Sequence, residues 1–215
     1  MKVTVDHVPW FWKPAFWLYG YGLGGLFYIF IRLLYRSCRI EIVGDEHLKS
    51  SPNRIYAAWH NQNMPTFVAN FFRGVGERFV LINHSAWYMK PVHLSLALLG
   101  VERLIMGSTG HGGRAAADEV VAKLIAGWST HINPDGPNGP PRVLRKGALH
   151  MAVQSGIPII AVQIFVSREL VLTRTWDGKR YPLPFSKLTI KLGPPIYVTE
   201  SKFGAAEIKV RQELG

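Results

Sequence analysis

An uncharged, aromatic-rich stretch near the amino terminus limits the folds open to this chain. Residues 14–31 read PAFWLYGYGLGGLFYIFI and contain no charged side chain. A helix of this length would be ~27 Å long, close to the thickness of a bilayer core. Tryptophan and tyrosine crowd its first half and prefer the membrane–water interface, whereas its glycines weaken a single straight helix. The stretch predicts membrane contact, as a full span or as a shallow re-entrant anchor; an aromatic-rich core helix of a soluble domain is the alternative.

Three arginines come next in the chain, at positions 32, 36 and 39. Positive charge beside an inserted segment keeps the following domain on the cytoplasmic side. The bulky flanking residues give no small-residue cleavage site, so a secretory signal is a poor match. We therefore expect a hydrophobic membrane-associated segment over residues 1–37 and one folded domain over residues 38–215, on the cytoplasmic face.

The chain is strongly basic, with a formal net charge of +11 over 215 residues. Such a charge favours an anionic partner, which can be a membrane surface, nucleic acid or an acidic substrate. A nucleic-acid groove needs aromatic side chains interleaved with cations. Here the aromatic residues cluster in the uncharged stretch and the cations are scattered, so we predict an anionic membrane surface and no nucleic acid. The histidines show no metal-ligand spacing, and the single cysteine cannot form an internal disulfide.

Beyond residue 38, short Val- and Ile-rich runs alternate with helix-like runs. This alternation predicts an α/β domain in which helices pack on both sides of a sheet. The predicted strands are residues 39–43, 54–58, 78–83, 128–133, 158–166 and 187–192. The predicted helices are residues 65–73, 91–99, 112–126, 146–155 and 201–213.

Two histidines follow predicted strands. His60 lies in WHNQNMP and His84 lies in NHS. A histidine at a strand end can present a ring nitrogen to a cleft, and its pKa near neutrality suits a general base. Each is also compatible with an ordinary structural histidine.

Two loops rich in glycine and proline complete the set of polar strand ends. GSTGHGG, residues 107–113, opens a predicted helix, where backbone N–H groups can hold an anion, although a plain loop before a helix has the same pattern. It matches neither nucleotide-binding glycine motif. NPDGPNGPP, residues 133–141, is a stiff loop followed by Arg142, Arg145 and Lys146, and rigid loops on a scaffold commonly hold substrate.

Together these segments resemble the lysophospholipid acyltransferase superfamily, and most closely a bacterial branch catalogued as a domain of unknown function. The resemblance rests on WHNQNMP, MGSTGHGGRAA, INPDGPNGPP, SGIPIIAV and RTWDGKRYPLPFSKLTIKLGPPI, in this order across residues 38–198. It implies a mixed sheet flanked by helices and a hydrophobic amino-terminal platform. It also implies transfer of a fatty acyl group from an acyl-carrier-protein or coenzyme A thioester to a lipid-like acceptor, with no bound cofactor, at the bacterial inner membrane.

The resemblance also assigns roles to residues. It makes His60 the general base that deprotonates the acceptor, with His84 as the alternative base. Residues in three segments fall on acceptor-binding elements: Asn61, Gln62 and Asn63; Met106, Gly107 and Ser108; Gly136 and Pro137. Where relatives carry an arginine before Gly-Ser this chain has Met106, which leaves Arg114, Arg142 and Lys146 as candidate anion-binding residues.

One departure affects the mechanism. The superfamily places an aspartate five residues after the catalytic histidine, but position 65 is proline, and no histidine in this chain has a carboxylate at that offset. A histidine base works best with a carboxylate that fixes its tautomer. We expect Asp135 to supply it; the alternatives are an unassisted His60, or a catalytically inactive relative that binds lipid or a partner enzyme.

Overall fold

The strands build one mixed sheet and a separate hairpin. The structure, a computed structural model, describes residues 4–107 and 112–215. Its strands are β1 Arg39–Val43, β2 Ile55–Ala57, β3 Phe79–Asn83, β4 Val101–Met106, β5 Ser129–Ile132, β6 Ile159–Val166, β7 Glu169–Leu172, β8 Lys179–Pro182 and β9 Lys187–Leu192. The main sheet has the order β1-β9-β6-β2-β5-β3-β4, and β7 and β8 pair with each other.

Strand direction decides where the site lies. Strands β6, β2, β5, β3 and β4 are all parallel, whereas β9 runs antiparallel to β6 and is parallel to β1. The carboxyl ends of five neighbouring strands therefore meet at one edge of the sheet. Open α/β sheets build their ligand sites at such an edge.

Helices cover both faces of the sheet, as the sequence predicts. They are α1 Trp10–Ser37, α2 Asn63–Val68, α3 Phe71–Gly74, α4 Lys90–Leu98, α5 Gly113–Ile125, α6 Gly147–Ser155 and α7 Phe203–Leu214. Alternate residues of β2 point to opposite faces. Tyr56 belongs to a core cluster with residues of α1 to α4, and Ile55 to a second cluster with residues of α5 to α7.

The predicted elements match the structure except in three places. The helix predicted over residues 65–73 is two short helices, because Asn70 between them takes a left-handed conformation with φ of 53°. Strand β4 was not predicted, since its exposed Glu102 and Arg103 interrupt the apolar pattern. The hairpin of β7 and β8 was not predicted either, because its strands are short and one is mostly polar.

Helix α1 lies along the domain instead of standing apart from it. Ile31 and Leu34 are buried in the core cluster, and the Tyr19 hydroxyl donates a hydrogen bond to the Tyr88 carbonyl at 3.0 Å. Residues 18–23, where the glycines begin, form a π-helical turn within the helix. The opposite side of α1 is apolar and exposed, with Leu33 63% exposed. By length and composition α1 could cross a membrane, and no other helix in the described ranges meets that criterion.

The close contact between α1 and α4 predicts opposite effects at two adjacent glycines. A Cβ added at Gly24 would lie 2.8 Å from the Pro91 carbonyl oxygen, whereas one at Gly25 would meet nothing within 4 Å. We expect Gly24→Ala to lower the free energy of unfolding by about 1–3 kcal/mol through overpacking. Gly25→Ala should raise it by up to about 1 kcal/mol because alanine favours helix.

Thermal and urea unfolding of the two variants in the same detergent measures both effects. Equal stability of the Gly24→Ala and Gly25→Ala proteins would contradict this packing of α1.

Candidate active site

A cleft of about 1000 Å³ opens at the carboxyl edge of the five parallel strands. Its walls come from the loops after β2, β3 and β5, from the start of α5, and from β8. Its lining includes five apolar side chains: Phe27, Met64, Phe67, Val92 and Leu96. It also includes four cations: Arg114, Arg145, Lys179 and Arg180. The cleft can thus accept a molecule that has an apolar chain and an anionic group.

His60 lies in this cleft, directly after β2. The preceding Trp59 is buried, and its indole N–H donates a hydrogen bond to the Gly215 carbonyl at 3.0 Å, which anchors the strand end. A 3₁₀ turn at His60–Gln62 then directs the chain into α2. The His60 side chain is 22% exposed, so the imidazole is held by protein on most sides and open on one.

A buried carboxylate pairs with the His60 ring. Asp177 Oδ2 lies 2.6 Å from His60 Nδ1, and the Asp177 side chain is fully buried. Its other oxygen, Oδ1, has no hydrogen-bond partner among the described residues. A carboxylate at this distance holds the ring proton on Nδ1 and leaves the Nε2 lone pair available. The Trp176 ring packs against the imidazole with centroids 5.1 Å apart.

The expectation that Asp135 pairs with the imidazole is wrong. Asp135 is buried and holds backbone instead: Oδ1 accepts the His60 N–H at 2.9 Å and Oδ2 accepts the Arg142 N–H at 3.1 Å. It therefore joins the proline-rich loop to the turn that carries His60. The carboxylate that reaches the ring comes from the turn between β7 and β8, 117 positions along the chain.

The Asp-Gly-Pro loop lies directly against the His60 ring. Gly136 and Pro137 both line the cleft, and a Cβ at Gly136 would lie 3.0 Å from His60 Cδ2. Glycine allows this close approach, since a larger residue would be in tight contact with the imidazole. Arg145 donates to the Gly136 carbonyl at 3.4 Å, which ties the loop to the residues before α6.

The other predicted acceptor-binding residues differ in where the structure places them. Asn61 and Asn63 line the cleft. Gln62 is buried, and its Oε1 accepts the Ile164 N–H at 2.6 Å, so it positions β6 against the turn. Met106 and Gly107 lie at the end of β4 outside the cleft wall, and Gly107 allows close contact with Ala116 of α5. Ser108 lies outside the described residues.

Of the three predicted anion-binding residues, Arg114 alone lines the cleft, in the first turn of α5. Lys146 Nζ lies 3.6 Å from a Glu207 carboxylate oxygen. Arg142 is exposed and reaches Asp135 through its backbone N–H. Sequence reasoning did not select Lys179 and Arg180, although both belong to the TWDGKRY part of a segment on which the resemblance rests.

The alternative base, His84, also lines the cleft. Its Nδ1 accepts the Ala86 N–H at 2.9 Å. In the neutral ring this bond places the proton on Nε2, so neither nitrogen offers an open lone pair. The geometry favours His60 as the base.

A further histidine in the cleft wall, His131 on β5, was not singled out from the sequence. Its side chain packs against the rings of Phe71 and Phe72, and Nε2 has no hydrogen-bond partner in the described parts of the chain. Burial, together with the smaller effect of the nearby His60, lowers the pKa of His131 to about 4. The neutral ring is therefore the form that the fold accommodates.

No protein-family model matches the chain. The sequence is 26% identical over 182 residues to an uncharacterized protein, RP090, of Rickettsia prowazekii, covering 82% of this chain and 81% of that protein. The structure is similar to the crystal structure of the 1-acyl-sn-glycerophosphate acyltransferase PlsC from Thermotoga maritima. That similarity has a TM-score of 0.54 and 17% identity over 93% of this chain and 94% of that one. The chain thus has the fold of an acyltransferase.

The burial of His131 predicts a loss of stability in acid. Its pKa is lower in the folded than in the unfolded chain, so the stabilisation is complete above the unfolded value and is lost as the pH falls from about 6.5 to about 4. Between pH 7 and pH 4.5 this residue should remove roughly 2–3 kcal/mol from the free energy of unfolding. His131→Phe, which suits the aromatic surroundings, should remove that component.

Urea unfolding at both pH values, for the wild type and the variant, measures the difference. An identical acid dependence for the two proteins would show that His131 is not held neutral.

Proposed function

We propose that this chain is an acyltransferase of the lysophospholipid acyltransferase superfamily, acting on a lipid acceptor at a membrane. The observation that carries the proposal is the His60–Asp177 pair at 2.6 Å, with the imidazole open to a cleft that has apolar and cationic walls. The shared fold with an acyltransferase supports it. Assignment to the branch of unknown function stays a prediction from the motifs.

In this mechanism His60 Nε2 takes the proton from the acceptor hydroxyl as its oxygen attacks the thioester carbonyl. The tetrahedral intermediate then collapses, the carbon–sulfur bond breaks, and the imidazolium returns the proton to the leaving thiolate. Asp177 keeps the ring in the required tautomer and stabilises the imidazolium. The donor is an acyl-coenzyme A or an acyl-carrier protein, which supplies the acyl group as a substrate.

Substrate parts can be assigned to the two kinds of wall. An acyl chain suits the wall formed by Phe27, Phe67 and Leu96, since burying each methylene contributes about 0.8 kcal/mol. An anionic group on the acceptor suits the start of α5, where Arg114 adds its charge to the backbone N–H groups of the helix terminus. Lys179 extends the positive wall.

The protein should lie on the membrane with α1 in the plane of the interface. From Tyr19 to Leu34 one side of α1 contacts the domain. If α1 crossed the bilayer, the polar residues around Tyr88 and Lys90 would have to enter the bilayer with it. The exposed apolar side of the helix would instead be buried among lipids. The alternative, an inactive relative that binds lipid, is not favoured. It was suggested by the missing aspartate five residues after His60, and Asp177 provides a carboxylate for the imidazole instead.

Substitutions at the pair test the mechanism. His60→Ala should lower kcat for acyl transfer by ~10²–10⁴, the usual contribution of a general base. Asp177→Asn should lower kcat by at least roughly 10², and the double variant should be no worse than His60→Ala, because the two side chains act as a unit. The assay follows transfer of a labelled acyl group from acyl-coenzyme A and from acyl-carrier protein to lysophospholipids.

Two controls define the result. His84→Ala should reduce kcat far less than His60→Ala. Thermal unfolding of the His60→Ala and His84→Ala proteins should show that both remain folded at the assay temperature. Asp135→Asn is expected to lower stability as well as activity, since its carboxylate binds two backbone N–H groups. Full turnover by a folded His60→Ala protein, or loss confined to His84→Ala, would overturn the assignment.

A further inference from the structure

The hairpin that carries Asp177 also has an exposed apolar surface that acyl transfer does not require. We name residues 168–185 the hairpin segment; it comprises β7, the turn with Asp177, β8 and the loop to β9. Its exposed apolar side chains include Leu170 at 54%, Val171 at 43% and Phe185 at 79%. Exposed aromatic and aliphatic side chains grouped in this way mark an interaction site.

The backbone conformation of Phe185 also indicates an interaction site. This residue has φ of 64°, in the left-handed region that bulky residues rarely occupy. A strained aromatic residue that is four-fifths exposed contributes little to the core. Such outliers persist where the surrounding structure holds them for another purpose.

The hairpin segment continues the apolar side of α1. Phe185 N–H faces Ser37 Oγ at 3.4 Å, and the Leu183 carbonyl lies 3.6 Å from Cys38 Sγ, so the end of the helix and the segment adjoin. On the last turns of α1 the exposed apolar side chains include Phe30 and Leu33. The two apolar surfaces therefore adjoin where α1 ends.

The charges around the hairpin segment select the partner. Its two acidic residues are both engaged: Glu169 accepts two hydrogen bonds from Arg180 Nε at 3.0 and 2.9 Å, and Asp177 pairs with His60. Arg168 and Arg174 are exposed. A surface that combines exposed apolar side chains with exposed positive charge is complementary to an anionic lipid interface.

We propose that the hairpin segment is a second membrane-contacting element, inserted beside α1 into the surface of an anionic phospholipid bilayer. The residues Lys179, Arg180 and Tyr181 belong both to this segment and to the cleft wall. Contact with lipid here brings the mouth of the cleft to the bilayer surface, where a lipid substrate can enter without crossing water. This extends the proposed membrane function, but its tests do not depend on catalysis.

The first test measures vesicle binding of the full chain carrying Leu170→Ser and Phe185→Asn. Asparagine tolerates the left-handed conformation, so the fold should be retained. We expect binding to phosphatidylcholine–phosphatidylglycerol vesicles to weaken about 10-fold or more, from loss of two buried apolar side chains. The difference should persist at high salt, where electrostatic attraction is screened.

Ile208→Ser is the matched control, since Ile208 is 61% exposed on α7, which packs on the other face of the sheet. It should bind like the wild type. Equal binding of the hairpin variant and the wild type would overturn the proposal. Unchanged vesicle binding together with loss of a wild-type dimer in sedimentation equilibrium would also overturn it, and would make the surface a contact between two copies of the chain.

The second test reports the position of the segment directly. Cys38 is the single cysteine, so a Cys38→Ser background permits one environment-sensitive fluorophore at Phe185→Cys. On vesicles its emission should shift to the blue and be quenched by nitroxide lipids, whereas a label at Ile208→Cys should show neither change. If the protein is bound to vesicles and the label at position 185 shows neither the blue shift nor the quenching, insertion of the segment is contradicted. Vesicle insertion without any acyl transfer would leave this proposal standing and count against the proposed enzyme alone.

Discussion

The hydrogen bond between His60 and Asp177 is the interaction around which the site is arranged. A carboxylate removed from water is costly unless it is paired, and here the imidazole is its partner at 2.6 Å while one oxygen stays without a hydrogen bond among the described residues. Removing either side chain leaves the other without its partner. The fold must therefore hold β2 and the β7–β8 turn together, and the fixed ring then presents its second nitrogen to the cleft.

The rest of the architecture supplies that geometry from distant parts of the sequence. β2 delivers His60 to the carboxyl edge of the sheet, and β5 delivers the loop whose Asp135 carboxylate fixes the His60 backbone. β6 leads into the hairpin that brings Asp177. Three neighbouring parallel strands thus converge on one imidazole. The apolar helix α1 and the hairpin lie on the same side of the molecule as the apolar wall of the cleft, which Phe27 of α1 helps to form.

Much of this could be predicted from the sequence, and the failures have physical causes. The central strands β2, β3 and β6 are largely buried on both faces, so their apolar composition identifies them without a periodic pattern. His60 was found because it follows such a strand. Asp177 was missed as the partner because it is far away in the chain, and spacing rules describe only local pairs. Asp135 was expected to be the partner instead. Its loop does reach His60, but its carboxylate oxygens accept hydrogen bonds from backbone N–H groups. Strand β4 lies at the sheet edge, where Glu102 and Arg103 face solvent and remove the apolar signal.

The tautomer of His60 tests the central claim most directly. Nitrogen-15 NMR of histidine-labelled protein reports which ring nitrogen carries the proton, and at neutral pH the account requires the proton on Nδ1, in a strong hydrogen bond to Asp177. The signal of the hydrogen-bonded Nδ1 proton should disappear in Asp177→Asn. It should remain in Asp135→Asn, because the Asp135 carboxylate binds backbone N–H groups and not the ring. A neutral His60 protonated on Nε2, or an Nδ1 proton signal that survives in Asp177→Asn and is lost in Asp135→Asn, would contradict the account.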